Sequence, residues 1–468
     1  MLYSIRMVSP ERRSRFQPSN LSPSVVFMHL SDRAYRDAAT VLPVRRCRQG
    51  GRALLCCMFA IFCATLSATF ARAERVITLD DAVTLAEEFN PGVIANRGRE
   101  EAARAGIVTA RQFPNPSVDV NAGPQRPRND SGTLSGTAWG VGVAQPIEYP
   151  SVRDSRRRTA ESNLGSVEAG TVAFRAQLLA QVRTNFYEVL QRQEQLGIAE
   201  ADLKLLGEIR DRVALRAKLG ESPRLDLVRT ETEVLNSQRA RDTAAIRVTQ
   251  AKLALANLIG LSPDEDYAVR GSISGGVPLP QLEELRTRAT RDNPQIQQAL
   301  AEQERARNRL QLERDLRVPA PTLQAGYLQE LDKEVTRFGV AIPIPIFNQR
   351  QGQIAEALAE VKVAEALLRT RELALAREID AAYGRFLVAR QQVETFEGGL
   401  LERAERTLEA AEAAYRFGER GIIEYLDAQR TFRAVRQDYL NSRYEFAYSI
   451  IEIERLAGQD IISSGNSR

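Results

Sequence analysis

The chain repeats itself. Asn90-Pro91 returns as Asn293-Pro294, and the run WGVGVAQPI from Trp139 to Ile147 returns as FGVAIPIPI from Phe338 to Ile346. Gly220, inside KLGESPRLDL, returns as Gly418, inside RFGERGIIEYL. Asn257-Leu-Ile-Gly260 returns as Arg455-Leu-Ala-Gly458, and the offset stays within 196–205 residues throughout. Each copy mixes helical and strand patterns, so it is one structural unit used twice and not a short-period solenoid. Whatever the chain does must be done by two pseudo-equivalent halves. The expected organisation is a first repeat over 74–260, a linker over 261–280, a second repeat over 281–459 and a tail over 460–468.

The first 73 residues have a different character. Residues 53–70, ALLCCMFAIFCATLSATF, are apolar, follow Arg45, Arg46, Arg48 and Arg52, and precede Ala71-Arg72-Ala73. A basic start, an apolar middle and an A-x-A end describe a cleaved secretory signal. The alternative is an N-terminal membrane anchor, since the run is nearly long enough to span. Bulky residues before Cys56 and Cys63 argue against a lipoprotein signal, and Arg45-Arg46 is only a weak twin-arginine hint. Residues 1–44 lie too far ahead of the basic cluster for a signal, which suggests an initiator assigned too early.

Cleavage changes the chemistry. All four cysteines and the single histidine lie before residue 74. The remaining chain carries 53 basic and 57 acidic groups, a net charge of −4 in place of +4. That removes the case for a nucleic-acid partner. It also removes disulfides, thiolate or imidazole metal sites, and catalysis by His or Cys. No phosphate-binding, HExxH, GxSxG or dinucleotide motif is present, so neither an enzyme nor a resident cofactor or metal is expected.

Each half reads as helix, strand, strand, long helix, shorter helix. Helices are expected over 79–112, 151–218 and 224–258, then over 282–317, 351–417 and 422–456. Thr78 is a candidate N-cap, with Asp80 and Asp81 in the first turn. Pro91 kinks or interrupts its helix. The strands are expected over 117–123 and 136–147, then 322–329 and 336–346. At 1.5 Å per residue the long helices reach roughly 100 Å and their neighbours roughly 50 Å. Two short helices stacked end to end match one long one, so six helices make a four-rod bundle. Val361, Leu368, Leu375 and Ala382, with Ile379, Phe386, Val393 and Leu400, repeat every seven residues, the mark of left-handed coiled-coil packing.

The strands discriminate. Four alternating strands have no obvious core of their own, and strands of this length with long loops suit an outer-membrane barrel. Four cannot close one, and open sheet edges are not tolerated in lipid, so a membrane-spanning reading requires an oligomer. The rival is a small sheet packed on the helices. A secreted coiled-coil rod fits the helices alone but leaves the strands and the duplication unexplained.

From residue 76 to 459 the chain resembles the TolC family of outer-membrane efflux proteins. The most specific segments are the two helix turns, Pro146 and Pro345 ending strands, and YRFGERGIIEYLDAQRTF at 415–432. PIPIFNQRQGQIAEA at 343–357, with NPSVDVNAG, most resembles the heavy-metal, CzcC-like branch. The resemblance implies a mainly α fold with a small β part, a TolC-like α/β-barrel. It implies a homotrimer whose four strands per chain close a twelve-stranded barrel in outer-membrane lipid, with helices forming a tunnel across the periplasm. Its partners would be a periplasmic adaptor and an inner-membrane RND pump. The turns at Gly220 and Gly418 would dock the adaptor. Glu424 and Asp427 would form acidic rings at the tunnel entrance, favouring cations. Asp226 matches a further acidic position, and Arg420 a basic residue that pairs across protomers to hold the entrance shut. An ordinary pattern of charges near helix starts is the competing explanation for all four. Drug efflux and type I protein secretion stand as alternatives to metal export. Trp139 and Phe338, at equivalent strand positions, and Tyr149 and Phe347 just after the strands are candidate membrane-interface aromatics. The Asn129 sequon reads as chance.

Overall fold

The computed structural model describes residues 75–125, 136–262, 265–272 and 279–458. The signal segment, the Asn129 loop, part of the linker and the tail lie outside them. In chain order the elements are β1 Arg75–Ile77, α1 Leu79–Phe89, α2 Pro91–Arg111, β2 Ser117–Gln125, β3 Gly136–Pro146, α3 Pro150–Lys218 and α4 Arg224–Ile259. After β4 Tyr267–Val269 the pattern returns as α5 Leu282–Asp292, α6 Pro294–Asp315, β5 Thr322–Gln329, β6 Glu334–Ala341 and α7 Gln351–Thr395. A π-helical turn Phe396–Leu400, α8 Leu401–Arg416 and α9 Ile422–Ala457 complete it.

Thr78 caps α1 in a capping box: its hydroxyl accepts from the Asp81 amide, and the Asp81 carboxylate accepts from the Thr78 amide at 3.0 Å. The single helix expected over 79–112 is two helices. Asn90 adopts extended ψ 124° and Pro91 opens α2, where its missing N–H costs nothing. Asn293 and Pro294 split the expected helix over 282–317 in the same way.

Those asparagines explain why the motif occurs twice. The Asn90 Oδ1 accepts from the Gly92 amide at 2.8 Å, while its Nδ2 donates to the Leu258 carbonyl at 2.9 Å. The Asn293 Oδ1 accepts from the Gln295 and Ile296 amides at 2.9 and 3.2 Å, and its Nδ2 donates to the Leu456 carbonyl at 2.9 Å. Each side chain thus caps the start of one helix and the end of another. Gly260 and Gly458 end those helices with φ of 72° and 70°. A Cβ on Gly458 would lie 2.5 Å from the Asp292 carbonyl oxygen, so the left-handed turn also packs too tightly for a side chain. The clip stacks α2 on the end of α4 and α6 on the end of α9.

α3 is the spine: 69 unbroken residues, packed against α2, α4, α6 and α9. One apolar core gathers Phe186, Val182, Leu255 and Ile259, a second Ile379, Phe386, Phe446 and Ile450. Most of the expected seven-residue seam is buried, including Val361, Leu375, Ala382, Ile379 and Phe386. Leu400 departs from it, because the single helix expected over 351–417 is broken. Gly399 takes φ 120° inside the π turn, a backbone open to glycine, and Leu400 is left exposed.

Two strands escaped the sequence pattern. β1 pairs in parallel with β4, Arg75 opposite Tyr267 and Ile77 opposite Val269, so the expected linker contributes to the first core. Three residues are too few to display a period of two. Where the long helices begin, β2, β3, β5 and β6 form one antiparallel sheet in that order. β6 begins at Glu334 and stops at Ala341, short of the expected Ile346, because Pro343 and Pro345 cannot donate to a ladder.

The register separates the two faces of this sheet. Val118, Val143, Ala325 and Phe338 form one cross-strand row; Val120, Val141, Tyr327 and Thr336 form the next. Leu323, Val340 and Trp139 share that face. Asp119, Asn121, Gly140, Gly142, Gln324, Gly326, Arg337 and Gly339 occupy the other. The apolar face is uncovered, with Val120 at 71% and Phe338 at 84% exposure, so the sheet is not packed on the helices.

Candidate functional site at the helix turns

At the end of the bundle far from the sheet, each half makes a tight turn. Gly220 and Gly418 adopt φ of 78° and 75°. Gly220 donates to the Ala217 carbonyl and Glu221 to Arg216; Gly418 donates to Tyr415 and Glu419 to Ala414. Both are Schellman closures, which need a left-handed residue at that position and leave the next residues free to differ. They do differ: Ser222-Pro223 follows one turn, Arg420-Gly421 the other.

A small core holds the two turns together. Leu206, Ile209 and Val213 of α3 pack with Tyr415, Ile422, Tyr425 and Leu426. The Tyr415 and Tyr425 rings stack at 5.8 Å and 20°, and the Arg216 guanidinium lies 5.0 Å from the Tyr415 centroid. Arg212 reaches Glu412 at 3.4 Å. Burial, reinforced by the Glu412 charge, pushes the Tyr425 hydroxyl up to about 12.

Asp226 sits half-buried in the first turn of α4, accepting from the Ser222 hydroxyl at 3.3 Å. Arg420, Glu424 and Asp427 are exposed, the last two one helical turn apart on α9, with buried Tyr425 and Leu426 between them. Among the described ion pairs none joins Arg420 to Asp226 within the chain. Leu219 and Phe417, just before the turn glycines, are 64% and 81% exposed. The described residues hold no group of three or more His, Cys, Asp or Glu arranged for a metal ion. No described helix is long and apolar enough to cross a membrane.

The four aromatics lie at the other end. Trp139 and Phe338 share the apolar face of the sheet but stand two cross-strand rows apart, Trp139 with Ala122 and Gln329, Phe338 with Ala325. Tyr327 fills the space beside Trp139, its ring centroid 5.7 Å away. Tyr149 and Phe347 follow the strands, Phe347 at 92% exposure. Sequence reasoning missed the Tyr415–Tyr425 stack, although ten residues bridging a turn place two aromatics opposite each other. It also missed Asp202, a buried carboxylate whose partners are far away in sequence.

A family model described as outer membrane efflux protein matches residues 82–261 and 285–459. The cobalt-zinc-cadmium resistance protein CzcC of Cupriavidus metallidurans is 25% identical over 385 residues, covering 82% of this chain and 90% of that protein. The outer membrane protein TolC of Vibrio cholerae is 20% identical, over 86% and 95% of the two chains. Among solved structures, the CmeC outer membrane channel of Campylobacter jejuni superposes with a TM-score of 0.70 at 16% identity, covering 82% of this chain and 88% of that one.

Proposed function

Because the chain belongs to the outer membrane efflux protein family, we propose that it is the outer-membrane channel-tunnel of a tripartite system, joined by a periplasmic adaptor to an inner-membrane RND pump. The observation that carries the membrane part is the sheet: one uncovered apolar face, an opposite face of polar residues and glycines interrupted by Leu328 and Val335, and outer edges on β2 and β6 that pair with no other described strand. Lipid accepts the first face only if the edges close. Three copies, each adding four strands, close a twelve-stranded barrel as a homotrimer, within the range of strand numbers that such barrels use. The helical rods continue it through the periplasm. The cargo is heavy-metal cations, a reading supported by the likeness to a cobalt-zinc-cadmium resistance protein. The chain acts as a conduit and not as an enzyme.

In this reading Gly220 and Gly418 mark the adaptor-docking turns. Arg420 of one protomer holds Asp226 of its neighbour, an ion pair that a single chain does not make. Glu424 and Asp427 bring at least six carboxylates around the three-fold axis, and such rings favour cations. Trp139, Phe338, Tyr149 and Phe347 lie in the interface aromatic belts.

Two experiments test this. The protein should require detergent for extraction and behave as a trimer; a soluble monomeric rod refutes the channel. A deletion strain should lose growth on cobalt, zinc, cadmium, nickel or copper salts, and unchanged tolerance to all five refutes the cargo. For the entrance, Arg420→Ala with Asp226→Ala should raise single-channel conductance in planar bilayers. Glu424→Ala with Asp427→Ala should weaken block by divalent cations from the turn side. Unaltered values remove the assignments.

A further inference from the structure

β6 leaves its ladder at Ala341, yet the residues after it keep the pattern of a strand. The Ile147 amide donates to the Pro321 carbonyl at 2.8 Å, and the Glu330 amide to the Lys333 carbonyl at 2.9 Å. Along an antiparallel strand the backbone groups of successive residues turn to opposite neighbours, so these bonds set the direction of all the others in the sheet. Odd-numbered residues of β2 turn to β3, and odd-numbered residues of β6 turn to β5. The even-numbered residues, Val118, Val120 and Ala122 on one edge and Phe338 and Val340 on the other, aim their backbone groups outward, where no described strand lies.

The alternation runs on past Ala341. Pro343 and Pro345 fall on odd positions, whose amide side faces a level where β5 has not yet begun. Ile342 and Ile344 fall on even positions and keep an N–H on the open side, at 59% and 77% exposure. A ladder excludes proline wherever it needs an N–H, so alternate prolines leave the outer edge able to pair. Ile346 turns back to donate to the Ile344 carbonyl at 2.9 Å, and the run stops there.

The chain holds a template for what covers this edge. Its two copies join in the sheet where β3 meets β5, with Val141 opposite Tyr327, Val143 opposite Ala325 and Gln145 opposite Leu323. Trp139 maps onto Phe338, 199 positions on, and Pro114-Asn-Pro-Ser117 onto Pro319-Ala-Pro-Thr322, 205 positions on. Carried over by these offsets, the three pairs become Val340 with Ala122, Ile342 with Val120 and Ile344 with Val118. All six are apolar and all six are even-numbered, on the outward-turned positions of the two edges.

We propose that β6, extended through Ile344, pairs antiparallel with β2 of a second copy in this register, Ile342 opposite the neighbour's Val120. This rests on the trimer reading and fixes how its barrel closes. Within one chain a single row runs from Asp119 through Gly142 and Gly326 to Arg337. In the proposed register Arg337 meets the neighbour's Gln125, six residues along β2 from Asp119. Three such steps slip the row by about 18 residues, roughly 59 Å of strand, around a wall of twelve strands roughly 58 Å in circumference. The strands then tilt by about 45°, a value that closed barrels use. The rival register sets Arg337 against the neighbour's Asp119, opposite charges on one row. It has no slip, and a barrel cannot close on untilted strands.

The chain after residue 73 has no cysteine, so introduced thiols are unambiguous. Ala341→Cys with Asn121→Cys places two thiols on facing, non-hydrogen-bonded positions of the proposed register, where Cα atoms come within about 4.5 Å. Within one chain these residues lie on opposite edges of the sheet, at least about 14 Å apart, too far for a disulfide. Oxidation of the detergent-purified protein should convert most of it to a covalent trimer on denaturing gels, and reduction should return the monomer. Arg337→Cys with Asp119→Cys, the pair that the rival register joins, should stay monomeric under the same oxidation. The register is overturned if the second pair links, or if the first does not, in protein whose native mass in detergent is that of a trimer; the channel reading survives either result. Protein that is a monomer without detergent, with neither pair linked, refutes the channel and this closure together.

Discussion

Replacing Asn293 with alanine removes three hydrogen bonds at one stroke. Its side chain is 2% exposed, caps α6 through the Gln295 and Ile296 amides, and satisfies the Leu456 carbonyl at the end of α9. Loss of an asparagine N-cap costs about 1 kcal/mol. A buried carbonyl left without a donor costs about 1–3 kcal/mol more. The expected total is about 2–4 kcal/mol, a large share of the margin that folded chains possess. Asn90 is the internal control. It makes one cap bond, is 8% exposed, and its partner Leu258 is only half-buried, so water replaces part of what is lost. Asn90→Ala should cost about half as much. Asn293→Asp separates the contributions. It keeps the cap acceptor but has no donor for Leu456, and it sets a carboxylate against that carbonyl. Thermal loss of the helical circular dichroism signal in detergent provides the ranking: parent most stable, then Asn90→Ala, then Asn293→Ala, with Asn293→Asp no better than the alanine. If Asn293→Asp melts with the parent, the bond to Leu456 contributes nothing and the clip is only a cap.

Other outcomes follow from the same geometry. Val141→Arg places a charge on the apolar face of the sheet and should destabilise the membrane-inserted form by about 2–4 kcal/mol, whereas Asn121→Arg on the opposite face should change little; urea titration in vesicles compares them. Gly458→Ala must relieve a 2.5 Å approach to the Asp292 carbonyl and a φ of 70°, so it should lower the melting temperature more than alanine at Gly98, where a Cβ meets nothing within 4 Å. Tyr425 stays neutral in the fold until pH about 12, against 10.0 when unfolded. A raised value contributes stability below pH 10 that is lost as the pH climbs from 10 toward 12. Tyr425→Phe should flatten that decline; an unchanged pH profile refutes the assignment.

The long-range plan was legible because it is written as periodicity. The seven-residue seam of α7, the alternation in β2 and the proline end of β3 all follow from local rules. The turns were equally legible, since only a left-handed glycine closes a helix that way. Three things were not. β1 and β4 are too short to carry a pattern and exist because they find each other across the repeat. The π turn hides inside good helix-forming sequence, with Gly398-Gly399 the only mark. Asp202 looks like any surface carboxylate until Ser237, Gln429 and Arg433 converge on it from residues 35 to 231 positions away. The proposed entrance residues rest on family likeness alone: in the chain Arg420, Glu424 and Asp427 are exposed, and none of the described ion pairs joins Arg420 to Asp226.

The polar face of the sheet is notable for what it omits. Gly123 and Gly339 stand before open space, and a Cβ on Gly142 would meet ordinary contacts at 3.8 Å or beyond. If closure turns this face inward, the bore is lined by glycines interspersed with the few long or charged side chains of Asp119, Asn121, Gln324 and Arg337. That lining makes the bore adjustable by addition: bulky side chains at 123 or 339 would narrow it stepwise without disturbing the strands that carry them.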